Sequence, residues 1–314
     1  MLRMMMNANR RLSGYALPLL AAFTLAACKP EPPGPVRYRD EVFNAVEITK
    51  DVPYGRAVGL DGDSADLLLD LYQAKADTAQ ARAALIYIHG GSFTDGGKAE
   101  GNTPDVCKSL ARRGYVVASV NYRLGIEEPL TQAHQLEALY RAVQDARTAL
   151  RFARAQAEAA RIDPDRIILG GSSAGAITAV HAACWDSDEL DGIDIARWGG
   201  LDAGSLPGFS SEAAGVYSIA GALGDLSWME ADDPPLICIH SRQDAVVPYD
   251  SGPDPSGFTT LYGGKALYGR AKSLGIPAAL KSYRNVAHGD ELNDPWTEES
   301  LAALAEFFYE EIAR

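Results

Sequence analysis

Residues 166–180 read RIILGGSSAGAITAV, and this stretch restricts the rest of the chain more than any other. Arg-Ile-Ile-Leu is a short apolar run of strand type, closed by Gly170 and Gly171; the small residues from Ala174 onward begin a helix. Between them Gly171-Ser172-Ser173-Ala174-Gly175 fits G-x-S-x-G. A strand that turns into a helix within so few residues leaves its central Ser strained and projecting. The two outer glycines let neighbouring backbone pass close to that turn without a Cβ clash. A Gly/Ser-rich loop would also match the bare pattern, but the flanking strand and helix single out Ser173 as a nucleophile.

Strands alternating with helical patterns follow along the rest of the chain. Residues 45–50 and 66–72 read as strands joined by a Gly/Asp-rich turn over 59–66. Asp61, Asp63 and Asp66 do not follow the order of an EF-hand loop, so that turn is read as solvated. Apolar strands are expected at 84–88, 115–120, 215–220, 236–240 and 278–283, and helices at 103–113, 261–274 and 298–313. Residues 132–160 form a long Ala/Arg/Gln-rich helical stretch, kinked or divided, with Leu136, Leu139, Val143, Ala146 and Leu150 as its buried stripe. Such alternation predicts an α/β fold: a buried, mostly parallel sheet with helices on both faces. The first two strands are joined too closely for a crossover, so the leading edge should be antiparallel. Residues 186–211 lack periodicity and read as an excursion near the rim of the site.

Composition bears on partners. With 314 residues, 47% of them apolar, the chain suits a large core, and its net charge of −13 without a basic tract in the body argues against nucleic acid. The beginning of the chain differs. Arg3, Arg10 and Arg11 precede an apolar run over 15–27, the layout of a secretory signal, which ends Leu25-Ala26-Ala27-Cys28. That ending resembles the lipobox of bacterial lipoproteins, a family in which cleavage before the Cys leaves it to carry lipid. The expected organisation is therefore a signal peptide over 1–27, a Pro-rich tether over 28–41 beginning at a lipidated Cys28, and one catalytic domain over 42–314. The protein would sit in the bacterial cell envelope, exported and held to a membrane by that anchor alone. Losing three arginines and no acid takes the charge from −13 to about −16. Cys107, Cys184 and Cys238 are read as buried free thiols, with one pairing left open.

A serine hydroxyl needs a base to take its proton, and the base needs an orienting partner. Of five histidines, His134 and His181 fall in helical patterns, and His89 opens a glycine turn that it is expected to hold by hydrogen bonds. His240 ends a strand and competes for the role of base. His288 lies in a loop directly after the last strand, where catalytic groups of open α/β sheets gather, and is the chosen base. Asp244, just beyond the 236–240 strand, is the chosen acid, ahead of Asp225 and Asp250, and gives the chain order Ser…Asp…His. The glycine turn after 84–88, His89-Gly90-Gly91-Ser92, with the N–H of Ala174, would supply donors to a developing oxyanion.

HGGSF, NYRLG, GGSSAGA, the Asp244 segment and Ala287-His288-Gly289 together resemble the esterase/lipase branch of the α/β-hydrolase superfamily. Tyr54-Gly55 and the run Leu69-Asp70-Leu71-Tyr72 are similar to its small bacterial carboxylesterases, of hormone-sensitive-lipase-like or feruloyl-esterase-like type. The resemblance spans residues 52–314. It implies a sheet of about eight strands, a triad of Ser173, Asp244 and His288, and oxyanion donors from Gly91, Ser92 and Ala174. It also implies hydrolysis of a small-molecule carboxylic ester through an acyl-enzyme, with no metal or organic cofactor. Ser92 stands where hormone-sensitive-lipase relatives have a third glycine, and Ser172 and Asp244 replace the Glu residues usual in larger type-B carboxylesterases. A peptidase on the same fold and a non-catalytic binding member are the alternatives. The first would need a propeller or cap domain that this length hardly holds; the second typically lacks a triad member. The 186–211 excursion is too acidic and too sparsely apolar for a lipase lid, so short acyl esters are the expected substrates. Trp185, Trp198, Trp228 and Met229 are candidates for an acyl or aryl pocket, with core packing as the simpler role of each.

Overall fold

The chain enters the sheet as a hairpin, β1 (Val46–Val58) paired antiparallel with β2 (Ser64–Ala74) across a tight turn. A computed structural model describes residues 34–190 and 192–313. Residues 1–27, Cys28 and the start of the tether lie outside the described residues. From residue 36 onward there is no tether. Arg37 makes a two-pronged contact with Asp77 at 2.7 and 3.1 Å, Tyr38 is buried with its N–H on the Arg113 carbonyl, and Glu41 accepts from Arg112 and Ser109. Three side chains with partners on the body outweigh a Pro-rich composition. In the 59–63 turn, the Asp63 N–H caps the Asp61 carboxylate, an ordinary solvated turn.

The remaining elements are β3 (Arg82–Ile88), α1 (Thr103–Arg112), β4 (Val116–Val120), α2 (Gln132–Ala155), α3 (Ala157–Ala160), β5 (Ile162–Ser172), α4 (Ala174–Cys184), α5 (Ile195–Trp198), β6 (Gly215–Ile219), β7 (Ala222–Leu223), β8 (Leu236–Ser241), β9 (Ser251–Pro253), β10 (Thr260–Gly263), α6 (Gly264–Leu274), β11 (Ala278–Tyr283) and α7 (Thr297–Phe308). Eight strands form one sheet in the order β1-β2-β4-β3-β5-β6-β8-β11. The first two pairings, β1 with β2 and β2 with β4, are antiparallel and the rest are parallel.

Every residue of β3 is buried. The pleat sends Ala84, Ile86 and Ile88 into one core, against α2, α4 and α6, and Ala83, Leu85 and Tyr87 into the other, against α1 and α7. This is why the strand reads as a continuous apolar run rather than an alternation. The long helical stretch divides at Gln156: Thr131 caps α2 by accepting the His134 N–H, and Arg161, at φ 53°, ends α3 in the left-handed region. One expectation needs correction. Residues 261–263, expected in a helix, belong to strand β10 of a small second sheet, β7-β10-β9, and α6 starts only at Gly264. The 186–211 excursion begins close to Leu136 of α2, which a Cβ on Gly192 would meet at 3.7 Å. Gln144 donates to the carbonyls of Trp198 and Gly200 at 2.9 and 2.8 Å, and Arg147 and Arg151 hold Asp202, so its later part is pinned to α2.

Candidate active site

Ser173 sits between β5 and α4 at φ 54° and ψ −122°, a conformation L-residues rarely adopt. The surrounding backbone enforces it. A Cβ at Gly171 or at Gly175 would lie 2.1 Å from the carbonyl oxygen of Ile88, so only glycine lets the elbow nest against the end of β3. The Ser173 N–H reaches back to the Ile219 carbonyl at 2.8 Å, fixing the turn to β6.

The loops after β8 and β11 bring two more groups to this point. His288 Nε2 lies 2.8 Å from Ser173 Oγ, and His288 Nδ1 lies 2.7 Å from Asp244 Oδ2. Burial pushes the Asp244 carboxyl up, but hydrogen bonds from His240, His288 and the Val246 N–H outweigh it and hold the group well below the usual carboxylate range. Asp244 is therefore ionised and accepts from His288 Nδ1–H, which leaves Nε2 free to accept the serine proton. Its other oxygen, Oδ1, takes the N–H groups of Val246 and Val247 at 2.8 and 2.9 Å.

Two residues that sequence reasoning passed over hold the His288 loop. Ser241 Oγ donates to the Val286 carbonyl at 2.6 Å, and its N–H donates to the buried Glu291 carboxylate at 3.0 Å. A charged residue buried three positions past a candidate histidine carries no motif, so only contact reveals it. The other candidates bond to other partners than Ser173 and His288, although Asp225 and His181 line the cleft beside the serine. Asp225 caps Ser227, Asp250 pairs with Lys265, and His134 bonds the carbonyls of Glu127 and Pro129. His181 is buried, its Nδ1–H on the Ile177 carbonyl.

The glycine turn after β3 packs directly on the elbow: a Cβ on Gly90 would meet Ser173 Cβ at 3.2 Å. His89 anchors it through Nδ1–H on the Gly90 carbonyl at 2.7 Å and by stacking on Tyr122 at 4.5 Å. Gly91, Ser92 and Phe93 all have positive φ, at 117°, 52° and 64°. Consecutive residues in this region turn backbone N–H groups to one side, a concavity suited to an anion. The N–H groups of Gly91, Ser92 and Ala174 find no protein acceptor among the described residues, which leaves them available to a ligand.

A cleft of about 590 Å³ opens beside Ser173. Its floor is one stripe of α4, Ser173, Ile177 and His181, with Trp185 just beyond, spaced four residues apart. Trp228 also lines it; Trp198 and Met229 do not. Trp198 lies between the guanidinium groups of Arg141 and Arg197, and Met229 is core. The opposite wall is the 246–261 segment, tied to α2 where Gln135 donates to Asp254 at 2.9 Å and accepts from Ser256 at 2.7 Å. That wall was not foreseen; its Gly/Pro-rich sequence, SGPDPSG, marks a loop but not where it folds.

Residues 69–196 match the BD-FAE family model. Esterase 2 of Thermogutta terrifontis superposes with a TM-score of 0.60 at 22% identity, covering 88% of this chain and 95% of that one. The chain has the α/β-hydrolase fold. Among curated relatives, gut esterase 1 of Caenorhabditis elegans is 29% identical over 150 residues, 47% of this chain and 26% of that protein. The acetylcholinesterase of Gallus gallus is 38% identical over 111 residues, 35% of this chain and 14% of that enzyme. The chain spans only 26% and 14% of the lengths of these two curated relatives.

Proposed function

We propose that this protein is a serine carboxylic-ester hydrolase. The observation that carries the reading is the continuous Ser173–His288–Asp244 hydrogen-bond chain at 2.8 and 2.7 Å, ending on a serine held in a strained turn. His288 takes the proton from Ser173 as Oγ attacks the ester carbonyl carbon. Asp244 stabilises the imidazolium that forms. The N–H groups of Gly91, Ser92 and Ala174 receive the negative oxygen of the tetrahedral intermediate. The imidazolium then protonates the leaving alkoxide, the alcohol departs and an acyl-serine remains. Water, deprotonated by His288, attacks that acyl group and releases the acid, restoring the free serine.

Short acyl esters suit the cleft, where Ile177, Trp185 and Trp228 offer apolar surface on the side of the serine. Esterase 2 of Thermogutta terrifontis has been solved with propionate and with butyrate bound, which supports short acids at a site of this fold. The test is a series of p-nitrophenyl esters beside unsubstituted peptides. Acetate or butyrate should give the highest kcat/KM; a maximum at long acyl chains, or cleavage of peptides alone, refutes the short-chain esterase. We also propose that Cys28 carries lipid and holds the enzyme to a membrane of the bacterial envelope. Mass spectrometry of the mature N-terminus decides this, since an unmodified residue other than Cys28 there rules the anchor out.

A further inference from the structure

Asp244 has two histidines, and they are held in opposite ways. His240, the buried imidazole of β8, donates through Nε2 to the Val247 carbonyl at 3.1 Å, and the same nitrogen lies 3.3 Å from Asp244 Oδ2 as a charge contact. Its other nitrogen, Nδ1, accepts the backbone N–H of Gly264 at 3.1 Å. A backbone amide cannot surrender its proton, so this contact fixes the Nε2–H tautomer and opposes a second proton at Nδ1. The approach is built for it: a Cβ on Gly264 would lie 3.0 Å from His240 Nδ1 and 3.1 Å from Cys238 Cβ. His240 is fully buried and has no contact with Ser173, whereas His288 is part-exposed and has one nitrogen on the serine. The same carboxylate therefore meets one imidazole with a nitrogen on the serine and one whose Nδ1 is already occupied by a backbone donor.

We propose that His240 is a positioning residue for the Ser173–His288–Asp244 chain, a fixed Nε2–H edge set 3.3 Å from Asp244 Oδ2 that keeps this oxygen turned toward His288 and shares its charge. The proposal rests on the esterase reading only in assigning His288 as base. Its physical consequence has a sign. The positive N–H edge beside Oδ2 draws carboxylate charge away from His288; removing it concentrates that charge on the His288 imidazolium and raises the pH at which His288 loses its proton. The ionisable groups around the pair are His240 at the end of β8, Asp244 in the loop after it, Tyr249, whose ring meets His240 edge-on at 5.7 Å, and Glu291 behind the His288 loop; Tyr249 and Glu291 are unchanged in every variant below.

Two substitutions separate positioning from packing. His240→Asn places an amide near the Nδ1 position, able to accept from Gly264 but too short to reach Asp244. His240→Gln places an amide N–H near Nε2, able to donate to Asp244 while leaving the Gly264 N–H without its acceptor. Activity and stability should therefore part company. His240→Asn should lower kcat roughly tenfold with KM little changed and move the acid limb of kcat/KM upward by about half a pH unit. His240→Gln should recover most of kcat and the wild-type limb while melting at lower temperature. NMR titration of the His288 ring protons gives the same shift without any substrate. If p-nitrophenyl esters are not hydrolysed by the wild-type chain, the esterase reading fails and this titration still decides the role of His240. An unchanged His288 titration in His240→Asn, or activity that simply follows melting temperature across both variants, overturns the proposal.

Discussion

The site has two halves built on different principles. The elbow half, around the ends of β3 and β5, is fixed by backbone approach: Gly171, Gly175 and Gly90 each stand where a side chain would strike a carbonyl or the serine. The relay half, around the ends of β8 and β11, is fixed by polar side chains reaching across sequence. Asp244 meets His288 44 positions on, and Ser241 meets Glu291 50 positions on. Steric fixing needs a local pattern and leaves one in the sequence. Fixing by long-range hydrogen bonds needs only that some polar residue arrive, and leaves almost none.

Breaking each half should therefore fail differently. Ser173→Ala removes the nucleophile from the steric half without altering its backbone, so turnover of p-nitrophenyl acetate should fall by about 10⁴–10⁶-fold with the melting temperature nearly unchanged. Near-normal turnover would remove the serine mechanism. In the relay half, Asp244→Asn should cost about 10³–10⁴-fold in kcat, because an amide can donate to His288 Nδ1 and hold the wrong tautomer. A loss below tenfold would mean that His288 is oriented by its loop and not by Asp244.

The histidine of the elbow half supplies a third test. Burial pulls His181 down to about 4, against the carbonyl bond from Ile177 that opposes this. The folded protein holds it neutral while the unfolded chain protonates it near 6.5, so its stabilisation is present above that value and is lost as pH falls toward 4. Urea unfolding at pH 7 and pH 4.5 should show a loss of about 2–3 kcal/mol from this residue, and His181→Phe should remove that part of the difference. The smallest effect belongs to the cleft wall. Asp254→Asn loosens the tie to Gln135 and Ser256 and should raise KM a few-fold at unchanged kcat, worth about 1 kcal/mol. A change in kcat instead would place the wall in contact with the chemistry.

The α/β alternation, the apolar strands and the G-x-S-x-G turn follow from the sequence alone, because each depends on neighbours within a few residues: pleat, helical period and Cβ sterics. The antiparallel leading edge was legible for the same reason, since a short turn cannot carry a crossover. Tertiary structure decided what local rules leave open. It chose between His240 and His288, two histidines that each end or follow a strand, by giving one a backbone donor and the other the serine. It packed residues 36–41 on the body despite the Pro-rich stretch before them, pinned the later part of residues 186–211 to α2, and raised residues 246–261 as a wall of the cleft. In each case the outcome rests on a hydrogen bond or charge pair between distant segments, and such pairs are selected only once the chain has brought them within reach.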